Sequence, residues 1–198
     1  MKKLTISLLA VIFSFGAALS QPVSDQGIIP VGITLNSILR LNVTGGGNLE
    51  YVINTIDQYT NGVGQPNALY QTHFTVASSV DYDVDLSADA ATFIGVDAVG
   101  HTIPLDNLGY ELVYQGVGGA TGVNWDLIAG VQALTFLPAT IIDGNYPGLG
   151  AGDIVFNNFR LEWRLGTQEP NMNVLSLLQQ SITSDRYVVN VILDLSQH

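Results

Sequence analysis

Between residues 29 and 43 the odd-numbered positions read Ile, Val, Ile, Leu, Ser, Leu, Leu and Val. The even-numbered ones read Pro, Gly, Thr, Asn, Ile, Arg and Asn. This period of two predicts a long strand with one buried face. Gly45-Gly46-Gly47-Asn48 then makes a turn, and 49–54 reads as a further strand followed by a short helical or irregular stretch through Tyr59. Residues 61–67 carry the Asn-Gly and Gly-Gln-Pro-Asn signals of a loop. Strands are predicted over 72–78, 80–88 and 91–94. Of these 80–88 is the cleanest, with Val80, Tyr82, Val84 and Leu86 on one face and Asp81, Asp83 and Asp85 on the other. Farther on, 110–115 and 131–137 are strand candidates, and Phe159, Leu161, Trp163 and Leu165 alternate with Arg160, Glu162 and Arg164. The final strand, 186–195, is apolar on both faces for much of its length, which predicts a central or covered position. Val174, Leu175, Leu178 and Ile182 share one face of a helix expected over 174–182. Short strands at close intervals predict an all-β fold: an antiparallel β-sandwich, Ig-like or pilin-like, with one short helix in its C-terminal half.

The opening residues change the setting of this fold. Lys2 and Lys3 precede an apolar run, and Ala18-Leu19-Ser20 presents small residues before Gln21. This is the layout of a secretory signal over 1–20, followed by a single domain over 21–198. The apolar run falls short of the roughly 20 residues that span a bilayer, so no membrane span is expected after cleavage. The chain has no Cys, which excludes lipid attachment at the cut and leaves burial and strand pairing alone to hold an exported fold. Both lysines lie in the signal, so four arginines stand against seventeen acidic residues. Such a surface repels nucleic acid and anionic lipid, and nucleic-acid partners are excluded. The expected location is periplasmic, at the outer surface or extracellular.

Candidate chemistry is sparse. Asp81, Asp83, Asp85, Ser87 and Asp89 have the spacing of calcium-loop oxygens, but the sixth and twelfth places hold Leu86 and Thr92, not Gly and Glu. Strand alternation accounts for the spacing by itself, and Asp81, Asp83 and Asp85 remain as calcium candidates. Arg160 and Arg164 have matching spacing and are expected to compensate these aspartates across strands. His73, His101 and His198 are the only histidines. No metalloprotease helix motif, serine nucleophile elbow or catalytic Cys occurs, so no catalytic residue, enzyme activity or cofactor is assigned. Residues 116–122 are rich in glycine but lack the third Gly of a dinucleotide fingerprint. Aromatic residues in the glycine-rich stretch 95–152 offer another chemistry. Tyr110, Tyr114, Trp125 and Tyr146 could stack on a sugar ring, or they could pack in the core.

Asn54-Thr55-Ile56-Asp57-Gln58-Tyr59-Thr60-Asn61-Gly62, Phe74-Thr75-Val76-Ala77-Ser78-Ser79 and the closing Arg186-Tyr187-Val188-Val189-Asn190 through Asp194-Leu195-Ser196 resemble exported β-sandwich proteins common in Bacteroidota. Such proteins are similar in organisation to pilin-like and coat-like surface subunits, and the resemblance implies no catalytic residues. The expected function is a non-enzymatic structural or adhesive subunit of the cell surface, assembling with copies of itself or with other surface subunits. No Lys guards any strand edge of the mature chain, which is permissive for strand addition. The 29–43 strand could be donated to a neighbour or pair within its own domain. The alternative function is a carbohydrate-binding module with a glycan as partner.

Overall fold

The computed structural model describes residues 29–64, 69–118, 125–144 and 150–198. Residues 1–28, on which the expected signal falls, Tyr146 and parts of the glycine-rich stretch lie outside this set. The chain divides into two units, Met1–Leu35 and Asn36–His198. Of the first unit, residues 29–35 are described. They form no secondary structure, and every one of their side chains is exposed.

The second unit is all-β, and every strand pairing in it is antiparallel. Its strands are β1 (Leu39–Gly45), β2 (Gln71–Ser78), β3 (Tyr82–Ala88), β4 (Thr92–Gly95), β5 (Thr102–Pro104) and β6 (Leu108–Tyr114). They continue as β7 (Asp126–Leu127), β8 (Gln132–Ala133), β9 (Ala139–Asp143), β10 (Asn158–Leu165), β11 (Tyr187–Val188) and β12 (Val191–Gln197). One sheet has the order β1-β2-β10-β6-β8, a second β12-β3-β9-β7, and a third, three-stranded one β11-β4-β5. A single core joins them. Phe74, Val76, Tyr110, Phe159, Leu161 and Trp163 from the first sheet meet Tyr82, Val84, Leu86, Ile141 and Ile142 from the second. This is a sandwich-like fold, as the strand pattern predicts.

Alternation places the elements well where one face is buried. Along β3, buried Tyr82, Val84, Leu86 and Ala88 alternate with half-buried Asp83, Asp85 and Ser87. β9 breaks the rule with consecutive buried Ile141 and Ile142, and the register shifts between Val84 and Asp85 at this bulge. The predicted strand at 49–54 is irregular instead, and a short helix α1 (Ile56–Asn61) follows it. Thr55 caps this helix by accepting from the Gln58 amide at 3.2 Å, and Gln58 Oε1 accepts from the Asn54 amide at 2.9 Å.

Three expectations are corrected. The 174–182 segment is a series of turns, not a helix. Its own polar groups capture the backbone there. Asn173 Oδ1 accepts from the Leu175 amide at 3.0 Å, and the Ser176 hydroxyl accepts from the Gln179 amide at 3.3 Å, a competition that disfavours helix. The long strand predicted over 29–43 begins only at Leu39. The closing strand, read as covered, is split into β11 and β12, and both stand at the ends of their sheets.

Candidate functional site

Between the sheets lies a cleft of about 870 Å³. Leu41 and Val43 of β1 with Leu161 and Trp163 of β10 form one wall, and Phe93 of β4 and Leu193 of β12 stand on the other. The floor is rigid. Trp163 Nε1 donates to Thr72 Oγ1 at 2.9 Å, and that hydroxyl donates to the Gly46 carbonyl at 2.7 Å. Tyr51 stacks on Tyr70 with ring centroids 4.1 Å apart, and burial pushes its hydroxyl pKa up.

The rim is polar and held by one carboxylate. Asp185 accepts from the amides of Asp97 at 3.0 Å, Ala98 at 3.3 Å and Arg186 at 2.6 Å, and contacts His101 Nδ1 at 2.8 Å. These hydrogen bonds, the Asp97 amide first, hold the carboxyl well below its usual range, at about 2. Asp185 thereby ties the turn after β4 to the entry of β11. Gly95 lies beneath it, where an added Cβ would meet Asp185 Oδ2 at 2.3 Å and the Ala98 carbonyl at 2.7 Å. Arg186 and Glu50 form an exposed ion pair at 3.4 Å beside the opening.

Among the described residues β1 is hydrogen-bonded in its sheet to β2 alone and β12 to β3 alone, and the two strands approach each other. Both line the cleft. Near them Val188, Val191 and Ile192 are 46%, 36% and 45% exposed. The apolar side chains of 29–35 are exposed further still: Ile29 85%, Val31 82%, Ile33 81% and Leu35 89%.

The other sequence candidates fall elsewhere. Trp125 and Tyr110 are core residues at 0% and 1% exposure, and burial pushes the Tyr110 hydroxyl up to about 12. Tyr114 is half-buried with its ring 5.4 Å from that of Trp125 and its hydroxyl donating to the Phe156 carbonyl at 2.9 Å. Three of the four aromatics proposed as a sugar platform therefore pack inside, and Tyr146 lies outside the described residues.

Arg160 and Arg164 lie in the first sheet, apart from the aspartate strand β3. Arg160 pairs with Glu162, and Arg164 pairs with Glu111 and with Glu169 at 3.1 Å. The expected pairing with Asp81, Asp83 and Asp85 is thus replaced by glutamates of their own sheet or the chain beyond it.

Asp81, Asp83 and Asp85 do not converge. Asp81 Oδ1 accepts from the Gly150 amide at 3.0 Å, and Asp85 stands opposite Asp194. Asp83 instead meets two residues outside the sequence candidates. Asp83, Asp143 and His198 bring their ligand atoms within 4.8 Å of one another, with His198 Nδ1 2.9 Å from Asp83 Oδ1. Two carboxylates and an imidazole can hold a divalent cation. Here Asp83 also accepts from the Gly144 amide at 2.8 Å, which fastens the end of β9 to β3. Asp83 lies on β3, Asp143 on β9 and His198 just past β12, and they share no spacing that a linear reading could detect.

No family model matches the chain, and no curated protein matches it.

Proposed function

We propose that this protein is an exported, non-enzymatic structural or adhesive subunit of the cell surface that assembles by strand addition. One observation carries the reading: four apolar side chains at strand spacing, over 29–35, are more than four-fifths exposed and belong to no sheet. Contiguous apolar exposure of this kind marks an interaction surface. The signal-like start, the cysteine-free chain and the absence of edge lysines support the same reading, as does the resemblance to exported pilin-like sandwich proteins. The glycan alternative has less behind it, because Tyr110 and Trp125 have no free ring face to offer.

Light scattering and negative-stain electron microscopy of the protein recovered after export test the proposal. The expected result is oligomers or filaments whose fraction rises with concentration. A uniform monomer at every concentration removes the reading.

A further inference from the structure

We propose that Asp83, Asp143 and His198 form a binding site for a divalent transition-metal cation of the Zn²⁺ class, on the polar face of the second sheet. All three residues belong to the second unit, so the site does not depend on residues 29–35 or on assembly.

The charge of this sheet points to a cation. Its four strands carry Asp83, Asp85, Asp126, Asp143 and Asp194, and none of the chain's four arginines lies on them. Register sets Asp85 opposite Asp194 and Asp126 opposite Asp143. Like charges directly opposite each other on a ladder destabilise the pairing.

One oxygen makes the demand local. Asp143 Oδ1 is buried without a hydrogen-bond partner, and it stands 3.8 Å from His198 Nδ1, beyond hydrogen-bonding distance. A carboxylate oxygen taken from water without a donor is costly, and a bound cation removes that cost. The Asp143 side chain as a whole is 43% exposed, and with Asp126 and Thr140 it lines a depression of about 170 Å³. An ion and its water ligands can therefore reach the inner oxygen.

The geometry suits a single ion. The three ligand atoms lie within 4.8 Å of one another, and His198 Nδ1 is 2.9 Å from Asp83 Oδ1. Ligand atoms about 2.0–2.2 Å from a tetrahedral ion stand about 3.4 Å apart, between the two separations that His198 Nδ1 makes. Two of the ligands are also held by the fold. Asp83 Oδ1 accepts from the Gly144 amide at 2.8 Å, and the His198 amide donates to the Asp81 carbonyl at 3.1 Å. Outer contacts of this kind orient a donor set before the ion arrives.

Donor chemistry selects the metal. Ca²⁺ and Mg²⁺ take oxygen ligands, whereas an imidazole nitrogen beside two carboxylates suits Zn²⁺ and its neighbours in the transition series. Three protein ligands leave a fourth position for water. Asp83 and His198 are 115 residues apart, so one ion clips distant parts of a chain that has no cysteine to do so.

Isothermal titration of the full chain with ZnCl₂, free of affinity-tag histidines, tests the site. The expected result is one Zn²⁺ per chain, with binding at least tenfold weaker for Asp143→Asn, for His198→Ala, and for Ca²⁺ on wild type. His73→Gln, on β2 in the first sheet, should bind Zn²⁺ as wild type does. Zn²⁺ should also raise the melting temperature of wild type and leave that of His198→Ala where it was, since only a ligand of the folded state stabilises it. No saturable binding by wild type, or undiminished binding by either site variant, overturns the site, as does an equal loss in His73→Gln. Ca²⁺ held as tightly as Zn²⁺ overturns the imidazole as a ligand. If Asp143→Asn fails to fold, His198→Ala, at an exposed position, decides alone.

Discussion

Asp185 joins parts of the chain that are far apart in sequence, and its acidity measures how firmly. Its amide and imidazole contacts, with Asp97, Ala98 and His101, span 84 to 88 residues. Because the folded carboxyl titrates at about 2 and an unfolded one at about 3.9, the ionised form is favoured by folding. Its contribution is complete above about pH 4–5 and is lost as the pH falls toward 2. Asp185→Asn should therefore melt below wild type at neutral pH, with the gap closing between pH 4 and 2. Thermal melts across that range check it, and a gap independent of pH would sink the assignment. Nothing in the sequence singles out Asp185 from sixteen other acids, since its role depends on amides that only the folded turn brings near. The arginines teach the same lesson. Their face was legible on β10, but their partners, Glu111 and Glu169, depend on which strand and which loop lie alongside.

At the scale of elements, alternation reports that a segment can form a one-sided strand, and a second strand must still be present to pair with it. Residues 80–88 and 159–165 have such neighbours, and the structure reproduces both closely as β3 and β10. Residues 29–37 have the same pattern but are in no strand, and β1 starts at Leu39. The energetics agree. Burying four side chains of this size is worth about 6–12 kcal/mol at about 1.5–3 each. Ordering seven backbone residues costs about 7–14 kcal/mol at about 1–2 each. Burial and ordering nearly cancel, so net binding rests on added backbone hydrogen bonds at about 0.5–1.5 kcal/mol apiece. An interface so finely balanced should yield to one charge. Val31→Asp, within this exposed segment, should reduce assembly at least tenfold in sedimentation assays. Val31 is 82% exposed, so the monomer's melting temperature should shift by no more than about 2–4 °C, the equivalent of about 1 kcal/mol. A large fall in melting temperature with unchanged assembly would place Val31 in the core and not on a binding strand.

Across the whole molecule, the proposed assembly by strand addition joins a given strand to a different surface of the next copy, so the contact is heterologous. Such contacts build open filaments unless the rotation between subunits closes a ring. Electrostatics then oppose growth, because every subunit carries a formal charge of −11 over the full sequence. The strand to be added has no charge of its own to offset this. From Gln26 to Leu39 the sequence has no ionisable side chain. Added salt should therefore strengthen assembly, since raising ionic strength from about 0.01 to 0.15 M shortens the screening length from about 30 to 8 Å and leaves burial of apolar side chains intact. Sedimentation at fixed protein concentration should find more polymer at the higher salt. An interface built on cross-subunit ion pairs would respond in the opposite sense, and polymer that dissolves as salt rises would rule out an uncharged strand as the principal link.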